Sequence, residues 1–262
     1  MSPDPRDPTR PGPSGRRQIP LRAACAEPHS CPAPVRMRVL QRVPLFAGLS
    51  DDELTGIDAR MTSLAWATGD ALYRAGDPAE HLFVMAAGRA KAWRGTPDGQ
   101  EIVVDLLAPG DLFGGLQVLG QLRHTETVQA LSTTCALRIG SAAFRELLGD
   151  YPQVALRALD DTAALLTQAR SDVAQVSSAT VAQRVAARLV RLADKFGRDL
   201  GDGRGTLIHL PLTRRDLAGM TGSTPESVSR VMSALRKDGV IDSGRGWTAV
   251  VDRDRLAALA EG

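Results

Sequence analysis

Long apolar runs, a secretory leader and clustered metal ligands are all missing from this chain, and each absence removes a class of function. No stretch approaches the roughly 18 apolar residues that a membrane span requires. The N-terminus lacks the apolar core of a signal peptide. The expected location is therefore the cytoplasm, with no membrane partner. Only three cysteines occur in 262 residues, Cys25, Cys31 and Cys135. Three thiols in a cytosolic chain argue against a disulfide framework. The four histidines lie far apart, and no H-x-H occurs, so the His and Glu cluster of a metal-dependent cupin enzyme is lacking. Neither a nucleophile elbow, a P-loop nor a zinc-ligand pair is present. The expectation is a protein that is not an enzyme.

What is there is ordinary globular composition, 43% hydrophobic and 24% charged, with a formal net charge of +2. That balance is too mild to demand nucleic acid by itself. Residues 1–34 are rich in proline and arginine with almost no aliphatic clusters, so they bury too little apolar surface to order themselves; a flexible tail is expected. Val43, Leu45, Phe46 and Leu49 form a short apolar group, and Ser50 with Glu53 makes a capping box at a helix start. Between residues 64 and 139 short apolar runs alternate with Gly and Asp. Turn signals every eight to twelve residues or so predict a β-sandwich or barrel. Asp98-Gly99 supplies the positive φ of one hairpin turn. Residues 141–148 predict a short helix and 151–178 a long one. In the long helix Leu159, Leu166 and Val173 recur every seven residues, with Ala163 and Val176 between them. Such a seam serves either a two-stranded coiled coil or a helix packed on its own sandwich.

The chain's most informative stretch is PLTRRDLAGMTGSTPESVSRVMSALRKD, from Pro211 to Asp238. It reads as two short helices around a glycine turn. Thr213 caps the first, with Asp216 in its first turn. Gly222 makes the turn. Thr224 caps the second, and Pro225 fits its first position, where no N–H is needed. Val228, Val231, Met232 and Leu235 share one face of that second helix at helical spacing. Glu226, Ser229, Arg230 and Ser233 share the other. Arg can donate two hydrogen bonds to guanine, Glu can accept from cytosine, and Ser adapts to either. At one-turn spacing Glu226 and Arg230 can read both strands at a G·C pair; they can equally form a surface pair favoured by the helix dipole. The flanking caps and turn favour DNA reading. Arg204, Arg214, Arg215, Arg236, Lys237 and Arg245 crowd around the motif, as phosphate contact requires. A helix over 180–196 precedes the motif, and strand-like segments at 206–211 and 240–251 form a wing with Arg245 at its turn. Arg245 suits phosphate contact, or is a solvated turn residue.

The segment resembles the helix-turn-helix of the CRP/FNR transcription regulators. The match is closest to the FNR branch, through Glu226-Ser227-Val228-Ser229-Arg230 and its E-x-x-S-R pattern. In the CRP branch an extra Arg precedes the Glu, where this chain has Pro225. VPLFAGLSDDEL, from Val43, resembles the entry to that family's sensor domain, and residues 64–139 resemble its cyclic-nucleotide-binding jelly roll. The resemblance implies an α+β chain in four parts: a tail (1–34), a jelly-roll sensor domain (35–150), a dimerisation helix (151–178) and a winged helix-turn-helix (179–262). It implies a homodimer joined through Leu159, Ala163, Leu166 and Val173, in keeping with the two-fold symmetry of such readers. Double-stranded DNA is the implied partner, read by Thr213, Thr224, Glu226, Ser229, Arg230 and Arg245, with RNA polymerase as a second partner.

The signal is less legible. Laid on the CRP pocket, the ribose-binding Glu position holds Gly115, and the phosphate-binding Arg-Ser positions hold Thr125 and Glu126. A carboxylate repels a cyclic phosphate, so cyclic nucleotide is the disfavoured ligand, and binding would need Arg123 in its place. The FNR branch uses four cysteines for an iron–sulfur cluster. Here Cys25-x5-Cys31 matches half of its N-terminal pattern, Arg22 stands where the first ligand should be, and Cys135 lies two residues before the internal ligand position. Thiol oxidation is an equal candidate. His81, His124 and His209 are given no haem role. The cofactor is thus left open.

Overall fold

The structure is a computed structural model that describes residues 27–28, 31–96, 101–115, 120, 122–201 and 203–261, with side chains for all but 27–28 and 172–177. Its N-terminal half is a sandwich of two antiparallel sheets. Strand β1 (Glu27–Pro28) precedes helices α1 (Ala33–Leu40) and α2 (Asp51–Asp58). The sandwich continues with β2 (Thr62–Trp66), β3 (Ala71–Tyr73), β4 (His81–Ala87), β5 (Ala90–Gly95), β6 (Glu101–Leu107), β7 (Leu112–Gly114), β8 (Thr127–Ala130) and β9 (Thr134–Gly140). One sheet runs β1-β2-β9-β4-β7 and the other β3-β8-β5-β6.

Strand alternation explains the layers. Along β4, Phe83 and Met85 face the opposite sheet, where they share a core with Tyr73 and Val128, beside Trp66 of their own sheet. Leu82 and Val84 face the other way, under α1, α2 and helix α3 (Ser141–Asp150), with Leu137 and Ile139 of β9. A strand covered on both faces reads as a continuous apolar run, which is why β4 lacks a polar alternation. At the entry, Ser50 Oγ accepts from Glu53 N–H and Glu53 accepts from Ser50 N–H at 2.7 Å, the expected capping box.

The expected tail is shorter than residues 1–34. Strand β1 pairs with β2, and α1 already begins at Ala33. Arg36 ties that helix down, donating to Asp58 Oδ1 at 2.7 Å and to the carbonyls of Asp58 and Met61 at 2.8 and 2.9 Å. Composition hid this, because one charged residue does the anchoring. The expected turn at Asp98-Gly99 lies outside the described residues; β5 and β6 pair antiparallel on either side of it.

Helix α4 (Pro152–Ser178) then leaves the sandwich. Val154 is buried at its start, but Leu156, Leu159, Leu165 and Leu166 are 64%, 66%, 71% and 53% exposed. The helix does not pack along its own sandwich, and its apolar face is uncovered in the single chain. Ala163 is exposed with them, whereas the Val173 side chain lies outside the described set.

The C-terminal part comprises α5 (Val181–Phe196), β10 (Gly197–Asp199), β11 (Thr206–Ile208), α6 (Arg214–Thr221), α7 (Pro225–Lys237), β12 (Ile241–Gly244), β13 (Trp247–Val250) and α8 (Arg253–Glu261). Its strands form one sheet in the order β10-β11-β13-β12. Val185 and Leu189 of α5, Leu217 of α6, Met232 of α7, Ile241 and Leu256 share one core. Two elements, β10 and α8, are absent from the sequence-based expectation. The three residues of β10 are all exposed, and α8 buries only Leu256 fully, so neither carries a strong periodic pattern. Val103 and Leu106 of β6 join the same core. Nearby, Lys195 Nζ lies 2.6 Å from Asp111 and 3.7 Å from Asp105, and a Cβ on Gly219 would approach Ile102 Cα to 3.2 Å.

Leu256 is 0% exposed. Leu256→Ala should therefore lower unfolding stability by about 2–5 kcal/mol through lost burial and the cavity left behind. Thermal denaturation followed by circular dichroism measures it; a change within error would mean that α8 is not held against α5.

Candidate nucleic-acid interface

Two reciprocal caps and one left-handed residue set the geometry of α6 and α7. Thr213 Oγ1 accepts from Asp216 N–H at 3.1 Å, while Asp216 Oδ2 accepts from Thr213 N–H at 2.7 Å and from its hydroxyl at 2.8 Å. Helix α6 ends at Gly222, whose φ of 55° and ψ of 46° are left-handed, a region that only glycine enters freely. On each side of the turn stands a polar residue. The buried Thr221 donates to Leu217 O at 2.7 Å, and its hydroxyl meets Ser223 Oγ at 2.8 Å. Both hydroxyls are thereby satisfied where an apolar pair would otherwise pack. Arg184 of α5 donates to Thr221 O at 2.7 Å and to Ala179 O at 2.5 Å, tying the turn to the preceding helix.

Thr224 caps α7 through Ser227 N–H at 3.2 Å, and Pro225 occupies its first turn. Val228, Met232 and Leu235 are buried, and Val231 is half-buried. Their burial turns Glu226, Arg230, Ser233 and Lys237 outward, all of them exposed. Among the described residues Arg230 makes no ion pair with Glu226; its guanidinium donates to Ser227 Oγ at 3.3 Å. Ser229 is half-buried, and its hydroxyl donates to Pro225 O at 2.7 Å. Its oxygen can still accept, but its donor is committed to the helix. The hydroxyls of Thr213 and Thr224 are likewise engaged as caps.

Arg214 and Arg236 acquire a meaning beyond their share of the basic surplus. Burial, and then the neighbouring guanidinium of Arg236, push the Arg214 pKa below its ordinary value. Cations at the start of α6 and the end of α7 suit a phosphate. Arg245 is exposed at the wing turn, beside Gly246 at φ 79°.

The sensor positions are also placed. Gly115 is buried and Thr125 exposed. Glu126 accepts from Thr125 Oγ1 at 2.6 Å and pairs with Arg94 at 3.4 Å. Arg94 also donates to Thr125 at 2.9 Å, a partnership across strands that spacing along the chain did not disclose. Arg123 donates to Gly76 O at 2.6 Å, which occupies it away from the Glu126 carboxylate. His124 is buried, stacks on Tyr73 with centroids 3.7 Å apart, and has its pKa lowered by burial. His81 is lowered by burial and then by Arg138. His209 is exposed, and its carbonyl accepts from Arg89. Among the described residues these three do not form a metal-binding group.

Cys31 N–H donates to Ser63 Oγ at 3.4 Å, and its thiol is within hydrogen-bonding reach of Cys135. Burial and then Cys31 push the Cys135 thiol up to about 11. Cys25 lies outside the described residues, as does His29. Among the described residues no third His, Cys, Asp or Glu completes a metal-binding group with these thiols. Two thiols are half of the four ligands that a tetranuclear iron–sulfur cluster takes, so the described set does not fit one.

No helix among the described residues is long and apolar enough to cross a membrane. Residues 183–259 match the Crp-like helix-turn-helix domain and residues 64–151 the cyclic nucleotide-binding domain. The chain is 24% identical over 222 residues to a CRP-like cAMP-activated global transcriptional regulator of Mycobacterium tuberculosis, covering 85% of this chain and 98% of that one. It is 26% identical over 192 residues to the fumarate and nitrate reduction regulatory protein of Salmonella typhimurium, covering 73% and 76%. The solved structure of FixK2 from Bradyrhizobium japonicum superposes with a TM-score of 0.67 at 25% identity, over 76% of this chain and 96% of that one. With both halves matched and an outward-facing reading helix between caps, the chain belongs to the CRP/FNR family of transcription regulators.

Proposed function

We propose that this regulator binds, as a homodimer, an inverted repeat of TTGA-like half-sites. The observation that carries the reading is the pair Glu226 and Arg230, exposed one turn apart on α7 and not bonded to each other. Arg230 takes guanine O6 and N7, Glu226 takes the N4 donor of the paired cytosine, and Ser229 accepts from a neighbouring group. Pro225 supplies no Arg ahead of Glu226, which favours the FNR-like half-site over the TGTGA-like site of the CRP branch. The caps at Thr213 and Thr224 bring helix N-termini toward phosphates, with Arg214, Arg236 and Arg245 around them. The uncovered leucines of α4 hold the two copies together, so the half-sites lie about one helical turn apart. Contact with RNA polymerase and residence in the cytoplasm follow the family resemblance.

The signal in this reading is not cyclic AMP, although the mycobacterial relative is cAMP-activated by name. The Glu126 carboxylate stands at the expected phosphate position, and Arg94, the cation beside it, is already paired. Gly115 offers no side-chain acceptor for a ribose hydroxyl.

Fluorescence anisotropy on a duplex with an inverted TTGA-like repeat tests these roles. Arg230→Ala should cost on the order of 1–3 kcal/mol per half-site and erase the preference at the G·C pair. If the variant keeps that preference, Arg230 is not the guanine reader. Arg245→Ala should weaken binding to every sequence alike and reduce the salt slope by about one unit; an unchanged slope would make Arg245 a plain turn residue. Replacing Leu159 and Leu166 by Lys should yield a monomer in sedimentation and weaken operator binding on the order of a hundredfold, as bivalent binding is lost. A double variant that stays dimeric would place the dimer contact elsewhere.

A further inference from the structure

Cys31 and Cys135 are far apart in sequence, yet the fold puts them on one surface. On β2, Leu64 and Trp66 point into the sandwich, so Ser63 and Ala65 point outward. On β9, Ala136 points inward, whereas Leu137 and Ile139 pack beneath α1 and α3. Cys135 has the parity of Leu137 and lies on that outer face, with Ala65 as its neighbour on β2. Strand β1 runs along the same β2 edge, and the chain then passes Cys31 into α1. The hydrogen bond from Cys31 N–H to Ser63 Oγ fixes the backbone there, and Arg36 fixes α1 just beyond it. Cys31 is half-exposed and Cys135 is buried behind it. Both are free thiols.

We propose that Cys31 and Cys135 form an oxidisable pair that a hydroperoxide converts into an intramolecular disulfide. The thiolate of Cys31, the sulfur that solvent reaches, attacks one peroxide oxygen, breaking the O–O bond and giving a sulfenic acid, with water as the leaving product once protonated. The Cys135 thiol then attacks the sulfenic sulfur, forming the S–S bond and expelling a second water. Two thiols and one hydrogen peroxide thus become one disulfide and two waters. Cys31 is the more exposed sulfur and Cys135 is buried, so Cys31 is the one that reacts first. The bond fastens the segment leading into α1 to β9, the strand that continues into α3. It does not depend on which DNA sequence the regulator reads.

The test uses the full chain with Cys25→Ser, so that the two thiols of interest are the only ones. Reduced protein is treated with stoichiometric hydrogen peroxide, quenched in acid, alkylated and mapped by mass spectrometry. The expected result is loss of both free thiols, a peptide carrying Cys31 joined to one carrying Cys135, a mass lower by two hydrogens, and full reversal by dithiothreitol. With Cys31→Ser as well, Cys135 should stay reduced under the same treatment. Because Cys31 is half-exposed and its hydrogen bond to Ser63 comes from the backbone N–H, that substitution is expected to leave the fold intact, which circular dichroism checks. Over-oxidation of Cys31 to the sulfinic acid with Cys135 still free would overturn the proposal. So would a link between two chains, preferential Cys25–Cys31 pairing in the unsubstituted protein, or oxidation of Cys135 at an unchanged rate without Cys31.

Discussion

Val228, Met232 and Leu235 are buried against α5 and α6, and this fixes how α7 is rotated about its own axis. Each such side chain contributes roughly 1.5–3 kcal/mol when fully buried, whereas a Glu–Arg surface pair on a helix contributes about 0.2–0.5 kcal/mol. The apolar seam therefore decides the orientation, and the polar face follows from it. Once the seam is turned inward, Glu226 and Arg230 have nowhere to go but outward. Gly222 then sets where the helix points, since its left-handed backbone joins α6 to α7 within a single turn. Arg184, bonded to Thr221 O and Ala179 O, locks that turn to α5. Recognition here depends on packing behind the helix as much as on the side chains in front of it.

The local devices of this region were legible because each is written over three or four residues. Thr213 with Asp216, Thr224 with Pro225, and Gly222 between them are signals that a single turn of helix carries, and all three stand in the structure as read. Strand β4 was legible as an apolar run bounded by turn residues. What composition concealed were contacts between distant residues. A proline- and arginine-rich segment read as tail up to residue 34, yet Glu27 and Pro28 pair with β2 and α1 begins at Ala33. Helix α8 carries one fully buried residue and so left little periodicity to detect. The pairing of Arg94 with Glu126, and the meeting of Cys31 with Cys135, come from strand register rather than from spacing.

The sensor half carries the fold of a cyclic nucleotide-binding domain. Its interior carries an aromatic cluster, with Phe83 and Phe113 stacked at 5.3 Å and His124 lying on Tyr73. Beside it, Arg94 pairs with Glu126 at 3.4 Å. The same sandwich bears Cys31 and Cys135 on its outer face, at the chain's entry into α1. The long exposed face of α4 and the outward face of α7 keep the arrangement of the family's DNA readers.

The most direct measurement is selection of binding sites from a random DNA library by the full-length protein, followed by sequencing of the enriched pool. The account predicts an inverted repeat of TTGA-like half-sites whose centres lie about one helical turn apart, with the G·C pair of each half-site the most constrained position. A single unrepeated motif, or an inverted repeat with TGTGA-like half-sites, would contradict the assignment of Glu226 and Arg230 on an α7 that begins with Pro225.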